Sequence, residues 1–378
     1  MNSSFQNNYL VNKNKELENI FLNALKNSIL SGDLNGFLAL HRSDNTFFLL
    51  EQCRWFTAIS NSNDTNKTKY KITKFNIIDV DNRRVLSVTI SIIIDETMKK
   101  ELVGFYDLEI FKNRLFIKFH SSLDKSLESK NNKQIFYNSS LNLEAKIVSD
   151  FLEEIIIFFR KSLKFEFNSI DINIYLFNSL DSISFTIPEH SAYGWYESKE
   201  SIKIFVPDYI EHRDIFLKKV LLHEMTHLFL VQISNDNLSL YFHEGFAMFI
   251  ETYLCEKTHK LKFSNNRLKK QVINSMTILD HLECDLKSFE AINNLKEDNG
   301  IEIYHQGFLF TYFIINKYSL NYFLKFISSL SAFDYHESAT SQKFKLLSSL
   351  TSSKFNVYFP RELRSTKDFS AFCNSFLH

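Results

Sequence analysis

The chain has 378 residues, with 44 basic and 44 acidic side chains and a formal net charge of zero, and it is 44% hydrophobic. That length and apolar content support two or three folded domains, and the charge balance, with no sustained basic stretch, argues against a nucleic-acid partner. Met1 to Lys15 lacks the apolar core of a secretory leader, no segment reaches the roughly 18 uninterrupted apolar residues of a membrane span, and Cys53, Cys255, Cys284 and Cys373 form no Cys-x-x-Cys pair, so the expectation is a cytoplasmic protein with no membrane partner.

In chain order, a helix over Lys15 to Ser31 is stopped by Gly32-Asp33, and a shorter helix carries Phe37 to Leu40. Strands follow at Lys69 to Val80, Arg84 to Asp95, Lys100 to Phe111 and Arg114 to Ser121, with Asp81-Asn82 and Lys112-Asn113 as turn signals between paired strands. Helices followed by a curved antiparallel sheet resemble the nuclear transport factor two-like cone, a shape that can enclose a ligand pocket or serve as a packed accessory domain. This first domain spans 1–125, and the polar run Ser121 to Lys133 reads as a linker.

The second domain, 135–330, opens with an apolar helix from Leu143 to Leu163. Alternating strands follow at Asp171 to Asn178 and at Ser201 to Pro207, and between them lies the aromatic run Ala192-Tyr193-Gly194-Trp195-Tyr196. A helix without Gly or Pro runs from Ile210 to Leu230 and holds His223-Glu224-Met225-Thr226-His227. Residues four apart stack on one helix face, so both imidazoles point at one spot with Glu224 beside it. The surrounding apolar series makes this a buried helix, and a bound cation would offset the cost of burying three polar groups in it.

A hydrolytic zinc site takes three protein ligands and leaves one position open. The extended pattern with Gly and His after the second histidine is missing, since those positions hold Leu230 and Ile233, so a metzincin is excluded. The next helix, Tyr241 to Glu256, offers Glu244, with Gly245 after it allowing the two metal-binding helices to approach closely. Glu251 lies roughly 10 Å farther along the axis and reads as a supporting or surface group, and His243 points about 100° away from Glu244 as the lesser candidate.

His-Glu-x-x-His followed by Glu-Gly-Phe-Ala-x-x-x-Glu resembles the gluzincin metallopeptidases, in particular the peptidase MA-like group and the aminopeptidase N type. The resemblance implies a zincin-like domain within an α+β protein, a Zn2+ cofactor held by His223, His227 and Glu244, and Glu224 as general base. It also implies that Tyr304 in Tyr304-His305-Gln306-Gly307, similar to the family's Tyr-x-Lys-Gly, stabilises the oxyanion, with His305 as its understudy. The aromatic run near Gly194 corresponds to the family's substrate-pairing edge strand; a buried hairpin is the other reading. The family's Lys is Gln306 here, and the Gly-x-Met-Glu-Asn segment that anchors a substrate amino terminus is missing, so aminopeptidase activity is not expected.

The expected function is therefore zinc-dependent hydrolysis of a peptide or protein substrate. Two alternatives stand beside it: a non-catalytic zinc-binding interaction protein working through its N-terminal domain, and a hydrolase of a non-peptide amide or ester. Residues 331–378 read as a helical C-terminal extension with a Ser-rich interruption at Ser338 to Ser353.

Overall fold

The computed structural model describes residues 2–43, 45–60, 68–80, 83–94, 97–119, 123, 125–129, 133–167, 172–179, 193–197, 201–255, 260–282, 300–332 and 366–376. The protein is a mixed α+β chain in two compact units, residues 1–145 with 171–210, and residues 146–170 with 211–378. The division groups strands from both the 1–125 and the 135–330 stretches into one unit.

The first unit begins with helices α1 (Asn2–Ser31) and α2 (Leu34–Leu38), strand β1 (His41–Arg42) and helix α3 (Thr46–Ser60). Four strands follow: β2 (Thr68–Val80), β3 (Arg83–Ile94), β4 (Thr97–Phe111) and β5 (Arg114–Lys118). They make a sheet in the order β1-β5-β4-β3-β2, antiparallel except where β1 joins β5. Lys112 and Asn113 both adopt left-handed φ values, 49° and 60°, the geometry that lets a two-residue turn follow strand twist. Asp81-Asn82 lies outside the described residues.

Period-two alternation places Leu86, Val88 and Ile90 of β3 and Tyr106 and Leu108 of β4 on one face, where they pack with Phe21 and Leu25 of α1 and Phe48, Trp55 and Phe56 of α3. Helix α3 was not anticipated. Its start is marked by Asn45, whose Oδ1 accepts a hydrogen bond from the Phe48 amide at 3.1 Å, the ordinary N-cap interaction.

A second sheet in this unit contains β6 (Lys125–Ser129), β7 (Lys133–Tyr137), β8 (Asn173–Phe177), β9 (Gly194–Glu197) and β10 (Ser201–Phe205), in the order β6-β7-β8-β10-β9. The inner three strands are parallel, and β6 and β9 run antiparallel at the edges. Every residue of β8 and β10 is buried, as expected of strands covered on both faces. The anticipated linker Ser121 to Lys133 is corrected here: Lys125–Ser129 pairs with β7, and Lys133 opens β7. Polar composition hid a strand that alternates against its neighbour. Of the aromatic run, Gly194–Glu197 pairs antiparallel with β10 as the edge of the sheet among the described strands, and all four of its residues are half-buried.

The second unit is mostly helical. Helix α4 (Asn142–Phe158), whose first residues belong to the other unit, loosens into a π-helical turn at Phe159–Leu163 and ends with Lys164 in the left-handed region. Then come α5 (Arg213–Ser234), α6 (Leu240–Glu251), the short strands β11 (Leu254–Cys255) and β12 (Lys260–Leu261), α7 (Asn265–His281), α8 (Gly300–Tyr318), α9 (Leu320–Ser329) and α10 (Thr366–Asn374). Ser338 to Ser353 lies outside the described residues. Among the described residues, no helix is long and apolar enough to cross a membrane.

Helices α6 and α8 cross where Gly245 meets Gly307. A Cβ on Gly245 would overlap the Gly307 carbonyl, and one on Gly307 would overlap the Tyr241 carbonyl oxygen. The close approach that Gly245 permits is thus to α8, which corrects the expectation that it serves the contact with the histidine helix. Phe242 and Phe246 of α6 fill the space around this crossing with Phe310 of α8 and Phe323 and Phe326 of α9.

The crossing leaves no room for a methyl group, so Gly307→Ala should behave as an overpacked core variant, at a cost of about 1–3 kcal/mol. Calorimetry should show a thermal midpoint lowered by several degrees; an unchanged midpoint would mean that the helices can separate freely.

Candidate metal centre

Helix α5 holds its polar residues within an otherwise apolar surface: Leu221, Leu222, Met225, Leu228, Phe229 and Leu230 are buried around them. It ends at Asn235 and Asp236, both left-handed with φ of 54° and 57°, a conformation that Asn and Asp tolerate better than most residues. This turn reverses the chain into α6, and Asn237 anchors it by donating from Nδ2 to the Leu330 carbonyl at 3.2 Å. The reversal sets Glu244 opposite the histidines.

His223 and His227 face one another with ring centroids 4.7 Å apart, and ligand atoms of His223, Glu224 and His227 all lie within 4.8 Å of one another. Glu244 Oε2 sits 3.1 Å from His223 Nε2 and 3.6 Å from His227 Nε2. Two carboxylates therefore meet the imidazole pair. Glu244 is also within reach of a cation shared with the pair, because one of its oxygens approaches both Nε2 atoms.

Glu251 occupies the other side of the same imidazole. Its Oε1 is 2.5 Å from His223 Nδ1, and its Oε2 is 3.2 Å from Lys219 Nζ. Seven residues separate Glu244 from Glu251, and the His223 ring spans the gap, with one carboxylate at each nitrogen. A carboxylate at Nδ1 fixes ring orientation and leaves Nε2 directed at the shared site, the usual support for a metal-binding histidine. The donor set, two Nε2 atoms and a carboxylate with the opposite ring nitrogen held, fits zinc.

The electrostatics follow from this crowding. Burial acts to lower the His223 pKa, but hydrogen bonds to Glu244 and Glu251 and their charges outweigh it and raise it well above the ordinary value. For Glu244 burial acts upward, yet the charge of His227 and hydrogen bonds from both histidines hold the carboxyl well below its usual range. Glu251 is lowered as well: burial opposes the shift, while His223 and Lys219 drive it. His243 packs its ring 5.5 Å from that of His227 and is pushed down to about 3, chiefly by burial and then by the charge of His227.

Tyr304 and His305 point different ways from α8. The Tyr304 ring lies 6.0 Å from that of His223, nearly parallel at 16°, and its side is partly open to solvent. His305 is buried and makes a 3.0 Å hydrogen bond between Nδ1 and the Ser275 hydroxyl of α7. Of the two neighbours, Tyr304 is the one beside the histidine pair. Sequence reading missed the hydrogen bond that His223 Nδ1 donates to Glu251; the signal available was the seven-residue spacing, which keeps Glu244 and Glu251 on nearly one face.

No protein-family model matches this chain, and no curated protein matches it.

Zinc titration checks the arrangement. Glu244→Ala should abolish tight binding, whereas Glu251→Ala should retain the ion with affinity lowered about 10–100-fold, because it removes ring support and leaves the ligands in place. Equal affinity in the two variants would move the third ligand elsewhere.

Proposed function

We propose that the protein is a zinc-dependent hydrolase that cleaves peptide bonds, built as a zincin-like unit with an N-terminal lobe of the nuclear transport factor two-like kind. The observation that carries this reading is the convergence of His223, His227 and Glu244 on one point, with Glu224 on the same helix turn. His223, His227 and Glu244 would hold the ion. Zinc, when bound, supplies a Lewis acid for the scissile carbonyl and lowers the pKa of a water towards neutrality.

The chain's own groups perform the proton transfers. Glu224, buried and next to the histidine pair, accepts a proton from the attacking water and returns it to the leaving nitrogen, so the carboxylate is regenerated in each turnover. Tyr304 donates its hydroxyl proton in a hydrogen bond to the oxyanion as the carbonyl becomes tetrahedral. Its placement over His223 and its partial exposure suit a group that must meet a substrate. A peptide or protein substrate in the cytoplasm is the expected context, and the resemblance to gluzincins supports the choice of an amide.

Peptide libraries incubated with the zinc-loaded protein and read by mass spectrometry, with a chelator control, test the reading. Glu224→Gln should keep fold and zinc and lose activity, because the ligands are untouched and the proton acceptor is gone. Cleavage at the parental rate by that variant would sink the hydrolase proposal.

Tyr304→Phe should lower turnover by about a hundredfold or more with little change in zinc content or substrate affinity, the mark of an interaction made in the transition state. His305→Ala, which touches Ser275, should leave the chemical step much less affected. The reverse pattern would give the oxyanion role to the histidine.

A further inference from the structure

The first unit contains a polar cluster that the metal centre does not use. Glu51 and Arg54 stand one turn apart on α3 and so share a face. Glu51 Oε2 lies 3.7 Å from Lys203 Nζ with both side chains fully buried, and Arg54 Nε lies 3.3 Å from Glu197 Oε2. Lys203 belongs to β10 and Glu197 to β9. Their register, Lys203 opposite Trp195 and Ser201 opposite Glu197, puts Lys203, Trp195 and Glu197 on one face of the hairpin. Trp195 Nε1 completes the cluster by donating to Glu197 Oε2 at 2.8 Å.

We propose that α3 is a clamp that fixes the β9–β10 hairpin through Glu51–Lys203 and Arg54–Glu197, which makes the N-terminal helices and strands positioning elements for the edge strand. The inference stands apart from the metal centre and does not need it. Strand β9 pairs only with β10 among the described strands, so its ladder holds it from one side. A short edge strand held that way shifts register cheaply unless side chains fix it. Two ion pairs from one helix face to two adjacent strands supply two points of attachment, and two points set orientation as well as distance. The buried pair adds selectivity, because a slipped register would separate the Lys203 ammonium from the Glu51 carboxylate in the interior.

Amide hydrogen exchange on the full-length protein tests the clamp strand by strand. Glu51→Gln, which removes the carboxylate facing Lys203, should speed exchange of the β9–β10 amides about a hundredfold or more, with β2 to β5 nearly unchanged. Arg54→Met removes only the more exposed pair and should give about tenfold in the same hairpin, a substitution that leaves the core intact and decides the matter if Glu51→Gln fails to fold. Fluorescence of Trp195, read in a Trp55→Phe background because the chain has 2 tryptophans, should shift to longer wavelength in the Arg54 variant as Glu197, which accepts from the indole, loses its tie to α3. Unchanged hairpin protection in the variants that fold, or protection lost equally from β2 to β5, would overturn the clamp and leave these pairs as general stabilisers.

Discussion

The crossing of α6 and α8 at Gly245 and Gly307 is the constraint on which the candidate site depends. Backbone meets backbone there because neither residue carries a Cβ, and the two helices come closer than any pair of larger residues would allow. Glu244 precedes one glycine and Tyr304 lies one turn before the other. Closing the distance between helices therefore sets a carboxylate and a phenol against the same imidazole, that of His223. Aromatic residues from α6, α8 and α9 lock the crossing, so the geometry of the polar groups is set by apolar packing around them.

The centre assembled this way is costly for an ion-free core. Glu224, Glu244 and Glu251 and two histidines lie in largely buried positions, and each would be disfavoured alone by desolvation. Mutual pairing offsets part of the cost, as the opposed shifts of His223 and Glu244 record. An interior built for stability would fill these positions with apolar side chains. Retaining convergent imidazoles and carboxylates makes sense where the groups have a ligand to hold, and this is why the metal reading is preferred over a packing role for the two histidines.

Much of this was legible in the sequence because it depends on local periodicity. The four-residue spacing of His223 and His227 and the apolar run around them specify a helix and a shared face without reference to any other element. The strands β2 to β5 follow from alternation, and the turn at Lys112-Asn113 from residues that accept left-handed φ. What stayed hidden was set by partners distant in sequence. Helix α3 had a capping residue in Asn45 and core residues in Phe48, Trp55 and Phe56, but Glu51, Gln52 and Arg54 interrupt the apolar pattern and face other polar groups in the folded unit. Strand β6 looked like linker because its side chains are polar and its strand character comes from pairing with β7. The contact of Glu251 with His223 needed the position of a ring that sequence spacing does not give.

The departure of the Tyr304 segment from the gluzincin pattern also has a local physical basis. Gln306, where that pattern has a lysine, is fully buried and donates from Nε2 to Glu302 Oε1 at 3.1 Å one turn earlier on α8. A neutral amide satisfies that carboxylate without bringing a second charge into the interior, whereas a lysine would need its ammonium desolvated at the same spot. The tyrosine sits two residues away on a different face of the helix, so the exchange leaves its approach to His223 intact.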